Sequence, residues 1–252
     1  PESGNWELLR TMRNGRQDAL RITINNFRLK EEIAGKLSKQ LPYDSTFIFK
    51  MLDSSAITAQ YGYSPETIAC LFIPDTYEVF WTSSFEDFMK KMQKANKHFW
   101  NDNRQAQAAA LGMTPIQVGI LASIVYGESK ESAEQARIAG VYWNRFRTGM
   151  PLQADPTIVF AWKDFTIKRV TGKYTAINSP YNTYRNAGLP PGPISIPPVD
   201  VIDKVLNLEK HDYLYFCAKE DFSGFHNFAK TYPEHLVNAA KYQSALDAHK
   251  IN

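Results

Sequence analysis

The sequence predicts an α+β fold: a helical C-terminal half with a small antiparallel sheet and long proline-rich loops, preceded by a smaller α/β subdomain. Three observations predict it. Strand and helix patterns follow one another over the first hundred residues, beginning with the alternation Leu20-Arg-Ile-Thr-Ile24. Two apolar helices with marked starts come next, Thr114 to Glu128 and Ser132 to Arg147. Beyond them the chain turns to proline-punctuated loops and then to short aromatic runs, of which Tyr213-Leu-Tyr-Phe-Cys-Ala218 has the clearest strand character. The predicted divisions fall at residues 1–17, 18–110 and 111–252.

In chain order, residues 6–13 read as the last turns of a helix stopped at Asn14-Gly15. Leu29, Ile33, Leu37 and Leu41 recur at helical spacing, and Pro42 follows that helix. Ser45 to Gln60 reads as one further helix and Tyr61-Gly-Tyr-Ser-Pro65 as a turn. Pro74-Asp75 marks a tight turn before an extended run to Phe80. Phe85, Phe88, Met89, Met92 and Phe99 lie along one face of a long amphipathic helix ending near Trp100, a core stripe rather than a cofactor box.

Thr114 is a good N-cap, Pro115 suits the first helical position, and Gln117 completes a capping-box pattern. Gln117, Leu121, Ile124 and Glu128 share a face, so Glu128 continues a buried stripe at the helix's far end. Gly127 can let the helix end there and leave room beside the carboxylate. Ser132-Ala-Glu-Gln135 repeats the capping-box pattern and opens a second helix, apolar on most sides, with Asn144 and Arg145 as polar exceptions. Met150 to Thr157, Ser179 to Tyr184 and Gly188 to Pro198 read as ordered loops of the functional kind. Pro198 to Asn207 reads as a helix with Asp200 and Asp203 near its start, Asp221 to Phe228 as a hairpin turn and strand, and Tyr232 to His249 as a closing helix.

The 252 residues are 44% hydrophobic and 22% charged, which allows a sizeable core. The net charge of +3 is spread without a Lys/Arg block, so a nucleic-acid partner is not indicated. Cys70 and Cys217 sit in apolar surroundings and read as two buried thiols rather than a disulfide. Metal-ligand spacing is absent, no cofactor is called for, and no apolar run approaches the ~18 residues of a membrane span. A carboxylate leaning on apolar surface has its charged form disfavoured, so Glu128 is the candidate general acid. Its plain alternative is a solvated residue at a helix end.

Seven stretches in one order resemble the YceG-like (MltG) family of endolytic murein transglycosylases. They are Leu71-Phe-Ile-Pro-Asp-Thr-Tyr77, Leu121 to Val125 with Glu128-Ser129, Ala139-Gly-Val-Tyr-Trp-Asn-Arg145, Gly149 to Thr157, Tyr181-Asn-Thr-Tyr184, Gly188 to Ile194, and Tyr213 to Phe216 leading to His226-Asn-Phe228. The resemblance implies a membrane-anchored enzyme with this part outside the cytoplasmic membrane, an anchor and a LysM-like module ahead of it, and residues 1–17 as the end of that module. It implies peptidoglycan glycan strands as substrate, wall-synthesis enzymes as partners, and the family's acid/base glutamate at Glu128. One departure stands out: members usually carry a second glutamate two positions before the catalytic one, where this chain has Tyr126, and a Lys or Glu where it has Gly127. A lost negative neighbour would lower the pKa of Glu128.

Under the implied reaction the substrate's own 6-hydroxyl replaces water, so one carboxylate suffices. Ser129, Asn144, Gln153, Asp155, Tyr181, Asn182, Thr183, Tyr184 and Asn227 are the candidate substrate-binding groups. Each has a structural alternative: Asp155-Pro156 as a turn, Asn144 as a core amide, Tyr184 as a core ring. His226 reads as a packed histidine. Two other functions stay open: a hydrolytic muramidase with Asp155 or Glu78 as second carboxylate, and a catalytically silent glycan-binding protein.

Overall fold

The computed structural model describes residues 19–248. The helix expected at residues 6–13 and the module end at 1–17 lie outside them. The fold is α+β, with two small antiparallel sheets and two hydrophobic cores among the described residues.

The first core forms around a two-stranded sheet. Strand β1 (Leu20–Ile24) pairs antiparallel with β2 (Asp75–Val79), Leu20 opposite Val79 and Ile24 opposite Asp75. Alternation sends Ile22, Ile24, Tyr77 and Val79 inward. There they meet Ile33 and Leu37 of helix Lys30–Leu37, Ile48 and Leu52 of helix Ser45–Asp53, and the Phe88–Met89–Met92 face of helix Phe85–Phe99. The single helix expected over Ser45 to Gln60 is broken: Ser54 is extended, a short turn Ser55–Thr58 follows, and a 3₁₀ turn Ala59–Tyr61 ends at left-handed Gly62. Asp53-Ser54-Ser55 favours caps over helix interiors, which explains the break. Helix Asp102–Ala110, capped by Asn101 accepting from the Arg104 N–H, was not expected because only Ala108 is buried and it carries no apolar stripe.

The second core surrounds helix Pro115–Glu128. Its start is the expected one: Thr114 accepts from the Gln117 N–H, and the Gln117 side chain returns to the Thr114 N–H at 2.8 Å. From Val118 to Val125 every residue is buried, so the helix is enclosed on all sides and not on a stripe alone. Helices Gln135–Arg147 and Val199–Leu206 flank it. The former begins at Gln135, not Ser132. The Ser132 hydroxyl accepts from Lys204 instead of capping, and Glu134 turns its carboxylate to His226. Asp155-Pro156 opens helix Asp155–Trp162 where loop was expected, with proline tolerated in its first turn.

Strand β3 (Tyr215–Ala218) pairs antiparallel with β4 (His226–Ala229), and helix Tyr232–Ala248 rests on both. Glu134, buried, accepts from the His226 backbone N–H and pairs with its Nδ1 at 2.9 Å, tying β4 to the central helices. Cys70 and Cys217 are both free and only partly buried; burial of the Cys70 thiol pushes its pKa up to about 12. No single helix among the described residues is long and apolar enough to cross a membrane.

Candidate active site

Glu128 is the last residue of the enclosed helix, which ends as Ser129 takes an extended conformation. The helix therefore delivers the carboxylate from the core into a cleft. Two cavities meet there, of about 360 and 250 Å³, and Glu128 and Asp155 line both. Asn26, Tyr126, Phe165 and Ser195 border the larger; Tyr142, Gln153, Tyr184, Tyr215 and His235 border the smaller. The cleft thus runs past Glu128 in both directions.

Burial is the main cause that lifts Glu128 from the ordinary 4.5 to about 7, and the nearby Asp155 carboxylate adds to it. Two groups act the other way. The Tyr142 hydroxyl donates to Glu128 Oε2 at 3.0 Å, and the Arg145 guanidinium supplies positive charge. Tyr142 is fully buried, its ring edge-on to Phe216 at 5.7 Å. Arg145 is buried too, donating to the Leu152 carbonyl at 2.7 Å and the Leu214 carbonyl at 2.6 Å, so it binds the loop before Asp155 to the strand region. Asp155 accepts from the Tyr184 hydroxyl, and its own pKa is raised by burial.

Gln153, Asp155 and Tyr184 line the cleft. Gln153 holds a left-handed backbone (φ 51°), leaving its side chain exposed while its N–H donates to the Thr183 carbonyl at 3.0 Å. The other candidates line neither cavity. Asn182 donates to the Thr175 and Ile177 carbonyls and accepts from the Tyr184 N–H, so it shapes its loop. Thr183 accepts from the Ala154 N–H and pairs with the Thr157 hydroxyl at 2.8 Å. Asn144 donates to the His211 and Tyr213 carbonyls, and Ser129 accepts from the Glu131 N–H. Tyr181 packs on Phe160 at 4.8 Å, and Asn227 donates across its hairpin to Glu220. Glu78 lies exposed on β2, in the other sheet.

Tyr142, Arg145, His235, Tyr126 and Lys130 were not among the sequence candidates for substrate contact. Tyr142 was hidden in an apolar helix, although a tyrosine on such a helix needs a partner for its hydroxyl. Gly127 borders the larger cavity beside Glu128, and it is also a point of close packing. A Cβ there would stand 2.8 Å from Pro156, so the glycine admits the Asp155 helix beside Glu128.

The sequence pattern of the YceG-like family matches residues 1–241. The chain belongs to this family. A protein of Bacillus subtilis named endolytic murein transglycosylase is 37% identical over 166 residues, 65% of this chain and 44% of that protein. One of Streptococcus pneumoniae with the same name is 30% identical over 174 residues, 67% of this chain and 31% of its own. The chain thus spans less than half the length of these curated relatives. A solved YceG-like protein of Listeria monocytogenes superimposes with a TM-score of 0.72 at 29% identity, covering 92% of this chain and 80% of the other. Within this YceG-like chain, Glu128 has a raised pKa with Tyr126 two positions before it, because burial and Asp155 supply the shift.

Proposed function

We propose that the chain is an endolytic lytic transglycosylase, cutting the β-1,4 bond between MurNAc and GlcNAc within peptidoglycan strands and leaving 1,6-anhydroMurNAc ends. The observation that carries the reading is Glu128: one carboxyl whose pKa of about 7 suits both halves of an acid/base cycle, midway along a cleft that extends to either side. The two curated relatives bearing this activity in their names support it. Protonated Glu128 gives its proton to the glycosidic oxygen as the bond to C1 breaks, and the GlcNAc side leaves as an alcohol. The MurNAc N-acetyl oxygen shields the cationic C1. The Glu128 carboxylate then takes the proton of the 6-hydroxyl as O6 bonds to C1, which restores the acid without consuming water. Tyr142, donating to Oε2, leaves Oε1 free to carry the reacting proton. Gln153 and Tyr184 are the polar groups we assign to the sugar; Asn182, accepting from the Tyr184 N–H, and Thr183, whose carbonyl accepts from the Gln153 N–H, position them. Cutting within strands gives the enzyme a role in setting strand length, on the extracytoplasmic side and beside the wall synthases.

One observation favours a second reading. Asp155 is a second carboxyl beside Glu128, as a hydrolytic muramidase would need. Mass analysis of digested peptidoglycan separates the two. Anhydro ends, one water lighter than hydrolysis products and lost in Glu128→Gln, are expected; reducing ends would establish the muramidase, and no cleavage by either protein would leave a glycan-binding one.

A further inference from the structure

The larger cavity is lined by three cations that the acid/base cycle does not use, Arg28, Lys130 and Lys168, and the first two are held in place by aromatic rings. Arg28 lies just past β1 and Lys130 just past the Glu128 helix, and both line the cavity. Each is laid on an aromatic ring. The Arg28 guanidinium sits 4.6 Å from the centre of Phe165, and the Lys130 ammonium 3.4 Å from the centre of Tyr126. The Tyr126 hydroxyl in turn accepts from Asn26 at 2.8 Å, and Lys130 also donates to the Tyr126 carbonyl. These rings fix two long side chains that would otherwise be mobile.

The two charges are close enough to oppose each other: burial, and then Arg28, lower the pKa of Lys130. Among the described residues neither is in an ion pair, nor is Lys168 in the same cavity. Like charges held together without a counter-charge favour an anion between them. A guanidinium and an ammonium converging from two segments suit a carboxylate, the first as a planar fork and the second as a point charge.

We propose that Arg28 and Lys130 form a carboxylate-binding subsite, taking the acidic substituent that peptidoglycan carries on the lactyl group of MurNAc. This rests on the glycan reading above. The backbone sugars are uncharged, so the lactyl arm is where such a strand offers a carboxylate, either on its stem peptide or as the bare lactyl acid once the peptide is removed. Tyr126 then has a task of its own, as the platform for Lys130.

The test measures binding of three glycan preparations to the Glu128→Gln chain: strands with stem peptides, strands stripped by an amidase, and stripped strands whose lactyl carboxylates have been converted to methylamides. The chain should bind a carboxylate-bearing preparation about ten-fold more tightly than the methylamide. Adding Arg28→Gln and Lys130→Gln should remove that difference. Preference for the first preparation assigns the stem peptide, and preference for both assigns the lactyl acid as sufficient. Raising salt should weaken binding of charged strands only, a readout that needs no variant. Equal binding of charged and neutral strands, or a preference that survives both substitutions, overturns the subsite while leaving the transglycosylase reading intact. Anhydro products absent from the wild-type digest would instead strike that reading, and the binding comparison would still decide the subsite.

Discussion

The pKa of Glu128 is balanced between groups of opposite effect, and each can be removed singly. Asp155 raises it, and Tyr142 and Arg145 lower it, against the larger effect of burial. An acid that must start protonated loses activity as pH rises through its pKa, so the alkaline limb of kcat/KM should fall near pH 7. Asp155→Asn should move that limb to lower pH and Tyr142→Phe to higher pH, the latter with a loss of about ten-fold or more in rate because Oε2 loses its orienting donor. Limbs that move in the same direction would refute the assignment. Stability has its own sign. Below pH 4.5 both folded and unfolded chains hold the Glu128 proton; as pH rises towards 7 the unfolded chain releases it first, and the folded state loses stability. The loss above pH 7 is up to about 3 kcal/mol. Glu128→Gln should therefore match the wild type in urea denaturation at pH 4 and exceed it at pH 8. Spacing and resemblance made Glu128 legible in the sequence. Tyr142 was not legible, because its contact with Glu128 depends on how two helices pack, and helical periodicity describes only one helix at a time.

The helix that carries Glu128 has its cap at the other end. Thr114 and Gln117 satisfy the first free N–H groups, and Thr114 is exposed, so replacing it touches little else. Thr114→Ala should cost about 1 kcal/mol in urea denaturation while kcat/KM stays at the wild-type value. A drop in kcat/KM would mean that the cap sets the position of Glu128 as well as the stability of its helix. Caps and prolines are local signals, and for that reason this helix and Val199–Leu206 could be bounded from sequence, while Phe85–Phe99 showed by its apolar stripe. The pattern at Ser132 failed where it competed with distant partners. Lys204 takes the serine hydroxyl and His226 takes Glu134, so the cap falls at Glu134, two residues later, and the helix starts at Gln135. Helix Asp155–Trp162 was missed for a similar reason: proline in a first turn looks like proline in a loop until the packing against Gly127 is known.

At the scale of the whole molecule, the cleft depends on a seam that no local pattern announces. The loop from Gly188 to Pro198 crosses between the two cores, with Ile194 in one and Ile196 in the other. The Ile196 N–H donates to the Phe27 carbonyl at 2.7 Å, and the Ile194 N–H donates to the Ser123 hydroxyl at 3.0 Å, inside the Glu128 helix. Ile194 and Ser195 also line the larger cavity, beside the segment that carries Arg28. At Gly192 this loop passes close against the Glu66 backbone of the N-terminal part. A Cβ there would stand 2.0 Å from the Glu66 carbonyl oxygen, and because the obstacle is backbone, no rotamer change relieves it. Gly192→Ala should therefore push the loop away from Glu66 and cost about 1–3 kcal/mol. The displaced loop also borders the cleft, so kcat/KM should fall even at temperatures where the variant is fully folded. Denaturation and strand-cleavage kinetics on the same preparation check both effects. Lost stability with unchanged kcat/KM would mean that the seam holds the two cores together without shaping the cleft.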